Sequence, residues 1–444
     1  KADAQLKIIL DFYENQGSDR KPMDKLISYE QAKYFVEFTS NFQEEVPECY
    51  QRMLRVFQHL LHIPNTEELI WVLQFLPNIK NNREIFAEAI KAEIINRQKS
   101  GDLDEACYLT SCVGQLGLKD KLFNETLEER LLGDKSIELE NSLFMQLNNR
   151  GYNGVVGVMY MYKPSKRLLE ATKYLIQNKM ETLDTINLLS YLYFIQNDSD
   201  YDSIIPIAEE CMVRKLKGEK FQSMPHILNI SINLKGLTEK SEEGIESFVT
   251  AHKNQSVDHL NEHECLIYLS SLKDAKQAVK PLWLSFEKNL IDKVSSMSPE
   301  LALGICECFA AVPSDLIDLK IIDKFTPILL YIIKSESFEV CFKAISIYQP
   351  YRDAPAELIK AFTERIESEP KTLKQALESK IPLNTFLMNL QMLQFPKESF
   401  IPVARYMNEN FDKINKKEEE LLLNMLNPIK GTPEYEEVEK KIKK

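Results

Sequence analysis

The residues His259, Glu262 and His263 form the pattern H-x-x-E-H near the middle of the chain. On a helix this spacing sets two imidazoles one turn apart, where they can bind zinc beside a carboxylate that activates water, as in some zinc peptidases. Such a site needs a third ligand roughly 75 residues downstream, and Glu339 is near that spacing. The pattern covers one short stretch of a predicted repeat helix and lacks flanking strands. We therefore interpret both histidines as surface or interhelix residues and assign them no metal or catalytic role. Zinc binding, and a metal-dependent hydrolase that uses His259, Glu262 and His263, stay open as alternatives.

An acidic segment further upstream imitates the loop of a calcium-binding EF-hand. Its candidate ligands are Asp198, Asp200, Asp202 and Glu209, and Ile205 is its apolar eighth residue. However, Ser203 stands where the sharp turn of such a loop requires glycine, and Pro206 occupies the ninth position. No second loop of this type is visible in the sequence to pair with it. We predict an acidic connection between two helices rather than a calcium site.

The cysteines and the remaining histidine pair suggest packing rather than chemistry. Cys306 and Cys308 lack the C-x-x-C spacing of metal or redox sites, and residues two apart on a helix point away from each other. We expect reduced core cysteines. His59 and His62 lie beside leucines and are interpreted as packed or hydrogen-bonded. Because no phosphate-binding loop, dinucleotide fingerprint, hydrolase elbow or kinase motif is present, we expect no catalytic residue, no cofactor and no enzyme.

Composition describes a protein with ample core material and an acidic surface. Of the 444 residues 44% are hydrophobic and 27% are charged, and the net charge is −12, which disfavours extended phosphate contact. Basic clusters at Lys163–Arg167, Arg214–Lys220 and Lys440–Lys444 are interpreted as helix ends, where cations complement the helix dipole. The longest apolar stretches are far shorter than the roughly 20 residues of a membrane-spanning helix. We expect a soluble protein, or one peripheral to a membrane complex.

Apolar residues recur at helical spacing from Ala4 to the end of the chain, in segments separated by short polar breaks. Capping patterns and an initial proline mark several helix starts. They are Ser28 with Gln31, Pro47, Asn65 with Glu68, and Asp102 with Glu105. The helices that they predict are Tyr29–Phe42, Glu48–His62, Glu67–Ile79 and Leu103–Leu116.

Similar starts recur along the rest of the chain, each followed by a second and more charged helix. They lie at Thr66, Asp102, Thr182, Ser223, Ser256, Ser298, Ser335, Ile381 (followed by Pro382) and Asn415, with one degenerate unit near residues 137–162. The 415 − 66 = 349 residues between the first and last starts give about 39 residues per repeat. We predict an all-α protein, an α-solenoid of about nine or ten antiparallel helix pairs. We expect one superhelix over residues 1–444, with a subdivision into 1–135 and 136–444 as the alternative.

Two segments compete with this interpretation. Leu228, Ile230, Ile232 and Leu234 alternate as in a strand, and Val155–Tyr162 is β-branched and aromatic. Because an isolated strand would have no partner for its backbone, we predict that both segments are helical. The frequent aromatic residues are interpreted as core or as a protein interface. They include Tyr191, Tyr193, Phe194, Tyr331 and Tyr348.

The segment Met224–Leu237, followed by Glu242–Val249, resembles the degenerate helical repeats of octotricopeptide and FAST-kinase-like organellar proteins. Pro299–Phe309 and Phe338–Tyr348 are similar, and the resemblance covers Leu183–Arg352. It implies a helical-repeat scaffold in an organelle. Two features depart from those families, because the chain is acidic and ends in a proline-initiated helix rather than an endonuclease-like domain.

These features predict a non-catalytic scaffold or accessory subunit that contacts other proteins in a large mitochondrial assembly. Within that class we favour an ATP synthase or respiratory complex of a divergent eukaryote. The alternative is an organellar RNA-binding repeat protein, for example in transcript processing or the mitoribosome, although the net charge disfavours RNA. A cytoplasmic location is the alternative to the mitochondrion. Because the sequence begins with Lys1, we expect either a removed targeting segment or a start within a longer chain.

Overall fold

The structure is a computed structural model, and it describes residues 28–39, 47–79, 83–134, 136–313 and 321–443. These residues form 24 α-helices joined by short 3-10 turns and loops, and no β-strand occurs among them. The predicted all-α class is therefore confirmed. The apolar pattern that begins at Ala4 lies partly outside the described residues, as do the predicted end of the first helix at Phe42 and the terminal Lys444.

The chain divides into two compact units. The first contains the described residues up to Leu216 together with Asn233–Ser241. Its helices are α1 (Tyr29–Thr39), α2 (Pro47–His59), α3 (Thr66–Phe75), α4 (Arg83–Ser100), α5 (Leu103–Gln115), α6 (Lys121–Leu132), α7 (Asn149–Met161), α8 (Lys166–Lys179), α9 (Thr185–Ile195) and α10 (Tyr201–Leu216). Within this unit each helix from α2 to α8 packs against the helix two places further along the chain.

The second unit contains Lys217–Ile232 and the described residues from Glu242 onward. Its helices are α11 (Met224–Ser231), α12 (Glu239–Ala251), which begins before the division at Glu242, α13 (Glu262–Asp274), α14 (Lys280–Leu290), α15 (Pro299–Ala310), α16 (Ile321–Lys324), α17 (Thr326–Ser335), α18 (Phe338–Ser346), α19 (Ala356–Ser368), α20 (Pro370–Ser379), α21 (Leu383–Met392), α22 (Ile401–Glu409), α23 (Glu419–Met425) and α24 (Pro433–Ile442). Here α11 packs on α13, α13 on α15, α15 on α17, and α17 on α19.

Helix starts follow the predicted capping chemistry most closely near the beginning of the chain. The reciprocal bonds of a capping box join Ser28 to Gln31 and Asn65 to Glu68, and the Asp102 carboxylate accepts from the amide of Glu105. Each cap satisfies backbone amides that the first turn leaves without partners. These predicted starts are confirmed.

Other predicted starts are wrong by a few residues, because polar residues in the connecting turn imitate a cap. The cap of α9 is Asp184 rather than Thr182, and the cap of α13 is Asn261 rather than Ser256. Likewise α18 begins after Ser337 rather than Ser335, and α23 begins at Glu419, beyond Asn415. The predicted helix at Val155–Tyr162 is confirmed up to Met161. In the other ambiguous segment α11 stops at Ser231, so Leu234 lies beyond the helix.

Helices α5 and α7 approach each other unusually closely because α7 carries glycine at three positions on one face. A Cβ atom at Gly154 would overlap the backbone of Cys107 and Tyr108, and one at Gly157 would overlap the side chain of Ser111. Gly151 faces α5 in the same way, against Asp104. The β-branched residues between these glycines therefore belong to a helix whose close packing offsets its low intrinsic propensity.

A second recurrent feature joins helix ends. Eight side chains among the described residues each donate to a backbone carbonyl 32 to 34 residues earlier, which lies in the last turn of an α-helix, in a 3-10 turn or in the connection between two helices. The donors are Arg97, Arg130, Arg167, Lys179, Lys215, Asn289, Arg365 and Lys441. The final carbonyls of a helix have no partner within that helix. The bonds to the carbonyls of Gln98, Ile333 and Asn408 satisfy groups of this kind.

We predict that Gly154→Ala destabilises the protein by about 3 kcal/mol, since the added methyl group would force the α5 and α7 backbones apart. Gly304→Ala is the matched control, because its Cβ would lie 3.3 Å from the flexible side chain of Leu266 rather than against backbone. Urea unfolding followed by circular dichroism measures both. Equal stability of the two variants would contradict the close approach of α5 and α7.

Candidate functional site

The histidine pattern lies at a helix start instead of on a helix face. His259 is exposed in the turn before α13, Asn261 caps that helix, and Glu262 and His263 occupy its first turn. The Asn261 side chain and Glu264 form a capping box, with bonds of 2.9 and 2.8 Å. The expectation that this pattern lies on one repeat helix is therefore wrong, because the cap separates the two imidazoles.

The remaining acidic members of that pattern are engaged elsewhere. A carboxylate oxygen of Glu262 lies 3.8 Å from the Lys293 ammonium, and Glu339 accepts from Lys380 at 2.6 Å. In the part of the chain that the structure describes, no group of three histidine, cysteine or acidic side chains could hold a metal ion. The observed role of the sequence around His259 is to start a helix.

The acidic segment at Asp198 is a connection between α9 and α10, as predicted. Asp198 and Asp200 accept from Lys173 at 2.9 and 2.8 Å, so these carboxylates form an ion-pair cluster with a lysine of α8. Hydrogen bonding to Lys173 holds the pKa of Asp198 below its usual range. From Tyr201 onward the segment is helical, so the later positions of the supposed loop cannot wrap around an ion.

Glu209, the twelfth position of that supposed loop, has a structural role that the sequence pattern did not reveal. Its side chain is 4% exposed. The carboxylate accepts from the backbone amide of Thr238 at 2.6 Å and from the hydroxyl of Ser241. A buried carboxylate bonded to a helix-start amide is a strong fixed contact. Glu209 therefore joins α10 to the start of α12.

The cysteines are core residues, as predicted. No cysteine is in a disulfide, and all except Cys112 are buried. Burial raises the pKa of the thiols of Cys265 and Cys341 to about 11, so both stay protonated at neutral pH. The His62 imidazole is exposed, and its Nδ1 lies 3.0 Å from the carbonyl oxygen of His59.

The three basic clusters contain helix-end donors. Arg167 donates to the Gly133 carbonyl at 2.8 Å, Lys215 to that of Glu181 at 2.9 Å, and Lys441 to that of Asn408 at 2.6 Å. One cation from each cluster is therefore engaged with backbone inside its own unit. The clusters consequently present less free positive charge than the sequence alone indicates.

The aromatic residues separate into core and surface positions. Tyr191 is fully buried and its hydroxyl donates to the Tyr152 carbonyl at 3.1 Å, while Tyr348 is 3% exposed. Tyr193 and Phe194, by contrast, are partly exposed on α9. They meet Tyr160 of α7, which is 49% exposed. Ring centroids within this group lie 4.7 to 5.9 Å apart.

We call Tyr160, Tyr193 and Phe194 the aromatic patch. Its rings are large, rigid and amphipathic, which is the composition typical of energetic centres in protein interfaces. It spans two helices that pack against each other, so its geometry is fixed by the fold. The sequence indicates Tyr193 and Phe194 as core or interface residues, but it does not associate Tyr160 with them.

A cleft of about 550 Å³ in the first unit has charged walls. The Arg150 guanidinium bonds Glu67 of α3 at 2.6 Å and Glu105 of α5 at 3.1 Å, and it lies over the Tyr108 ring. Glu93 of the same cleft pairs with Arg97 at 2.7 Å. Because these charges already satisfy one another, the cleft connects three helix starts and offers little unpaired charge to a ligand.

No protein-family model matches the sequence, and no curated protein is similar to it. No helix among the described residues is both long and apolar enough to cross a bilayer. Function must therefore be inferred from the residues themselves.

We predict that Glu209→Ala lowers the free energy of unfolding by about 3 kcal/mol, because it leaves the buried hydroxyl of Ser241 and the backbone amide of Thr238 without their acceptor. The neighbouring Glu210 is exposed, so Glu210→Ala serves as the control and should change stability little. Thermal unfolding of both variants and of the wild-type chain measures the two changes in stability. A small effect at both positions would show that Glu209 is not the join between α10 and α12.

Proposed function

We propose that this chain is a non-catalytic interaction protein, an α-solenoid of about nine or ten helix pairs that holds other subunits together in a large assembly. The observation that carries the proposal is the aromatic patch, a group of partly exposed rings at fixed positions on α7 and α9. A surface of this kind is typical of protein interfaces and performs no chemistry by itself.

Two regularities support the solenoid part of the proposal. The first is the recurrence of a separation of 32 to 34 residues between eight donor side chains and a backbone carbonyl. The second is packing of a helix on the helix two places along, which recurs within each unit. Repeats in which each pair contacts its neighbours have both properties.

The cellular setting that we propose follows from the family resemblance of the sequence. A helical-repeat scaffold of organellar type would act as an accessory subunit of a mitochondrial assembly, with an ATP synthase or respiratory complex of a divergent eukaryote as the favoured case. Its role would be to position other subunits. Loss of the chain would then destabilise the assembly and leave isolated catalytic subunits active.

RNA binding is the second candidate, because exposed aromatic rings can also stack on bases. Arg167, Lys215 and Lys441 favour protein over RNA as the partner, since each is engaged with a backbone carbonyl. A filter-binding assay with single-stranded RNA distinguishes the two. Retention that falls steeply with salt concentration would support the RNA candidate.

We predict that Tyr193→Ala combined with Phe194→Ala reduces recovery of partner subunits from native extract by about tenfold, because central aromatic residues carry much of an interface's binding energy. Tyr331→Ala is the control, since Tyr331 is 56% exposed but lies outside the patch. Affinity capture with the wild-type chain and both variants measures the effect, after circular dichroism has verified folding. Identical partner recovery by all three proteins would rule out the aromatic patch as the contact surface.

A further inference from the structure

A cleft of about 390 Å³ in the second unit combines apolar walls with a few polar groups. It lies among α15, α18 and α21. The walls are formed by small and apolar side chains, among them Ala310, Ala311, Phe342 and Ile347. Such a mixture of apolar lining and convergent polar groups is typical of a ligand site.

The first unsatisfied acceptor of this cleft is the amide oxygen of Asn389, a residue that is only 2% exposed. Its Nδ2 donates to the hydroxyl of Ser346, and that hydroxyl donates to the Phe342 carbonyl at 2.6 Å. This chain of bonds fixes the orientation of the amide. The Asn389 Oδ1 is then left without any hydrogen-bond partner. A buried acceptor in this position is costly unless something donates to it.

The second unsatisfied group is the carboxyl of Glu307, which is half-buried on the same cleft. Burial raises the pKa of Glu307, against the opposing influence of Lys343 and Lys273. Neither lysine forms an ion pair with Glu307 in the part of the chain that the structure describes, and Lys273 pairs with Asp274 at 3.4 Å. Glu307 is therefore an acceptor that has given up part of its hydration without gaining a cation.

We propose that this cleft binds an arginine side chain of a partner protein, with the guanidinium donating to Glu307 and to the Asn389 Oδ1. Glu307 and the Asn389 Oδ1 are two acceptors on one cleft without a protein donor. A group with several donors in a fixed arrangement fits them, and a guanidinium has five N–H donors. The apolar stem of arginine matches the alanine and phenylalanine walls. The net charge of −12 also favours a basic partner.

The identity of the occupant rests on the proposed role as an interaction protein, but the site itself does not. Lys343 is exposed at the cleft. Its positive charge affects a bound guanidinium and a bound acceptor group in opposite ways. It repels a cation and attracts a carboxylate or a peptide carbonyl. Its removal therefore strengthens binding of a guanidinium and weakens binding of an acceptor group.

The test uses N-acetyl-arginine amide as the probe and N-acetyl-citrulline amide as its neutral isostere, with binding measured by thermophoresis on the full chain. We expect the arginine probe to bind at least about tenfold more tightly than the citrulline probe, as charge-assisted bonds require. Glu307→Gln should remove this preference, whereas Glu300→Gln on the same helix should retain it. Lys343→Gln should tighten arginine binding by about twofold.

Several outcomes would overturn the proposal. The first is equal affinity for the two probes, and the second is no saturable binding of the arginine probe up to about 100 mM. The third is weaker binding of the arginine probe by the Lys343→Gln variant, which leaves the cleft interior unchanged. Free L-arginine provides a further arm, because tighter binding of the free amino acid than of the blocked probe would assign the cleft to a small molecule. None of these outcomes involves the aromatic patch, so failure here leaves the interaction proposal to be judged on its own experiment.

Discussion

A helix that ends leaves its last backbone carbonyls without partners, and this chain ends a helix two dozen times within its described residues. Side chains 32 to 34 residues further along donate to some of those carbonyls, as at Gln98, Ile333 and Asn408. Arg130 is the clearest case, with bonds to the carbonyls of Arg97, Gln98 and Gly101. Each such bond joins the end of one helix to a later helix. The same interaction therefore satisfies carbonyls at that helix end and helps to fix the position of the later helix. Packing of the helices within each unit depends on it.

The sequence predicted the class of the fold and many helix starts because these depend on neighbouring residues. Local patterns such as apolar spacing and the capping pairs involve residues that are close in the chain. The pairs are Asn65 with Glu68 and Ser28 with Gln31. A short stretch of sequence is therefore enough to recognise them. The glycines of α7 could not be interpreted in this way. Gly154 matters only because the backbone of Cys107 lies against it, and that contact joins residues far apart in the chain. The bonds of the helix-end donors are equally non-local, and the sequence indicates only those within the three basic clusters as charged helix ends.

The candidate sites show the same division between local and non-local information. His259 and Asp198 belong to patterns that carry metal chemistry in other folds, yet here the residues around them cap a helix or pair with Lys173. Histidine, aspartate and glutamate suit helix starts as well as metal ions, so their spacing alone cannot separate the two roles. Tyr191 and Tyr193 stand two positions apart on α9, but one is buried and the other is at the surface. Only the neighbouring helix, through Tyr160, defines which aromatic residues form a patch.

The most direct test of the proposed role is the native size of the chain in an extract of its source cells, measured by gradient fractionation and detected with an antibody against the chain. The chain has a mass of 51.5 kDa. A subunit that holds others together should migrate far above this mass and move together with its partners, and we predict that result. Recovery of the chain as a free species at its own mass would contradict the interaction role.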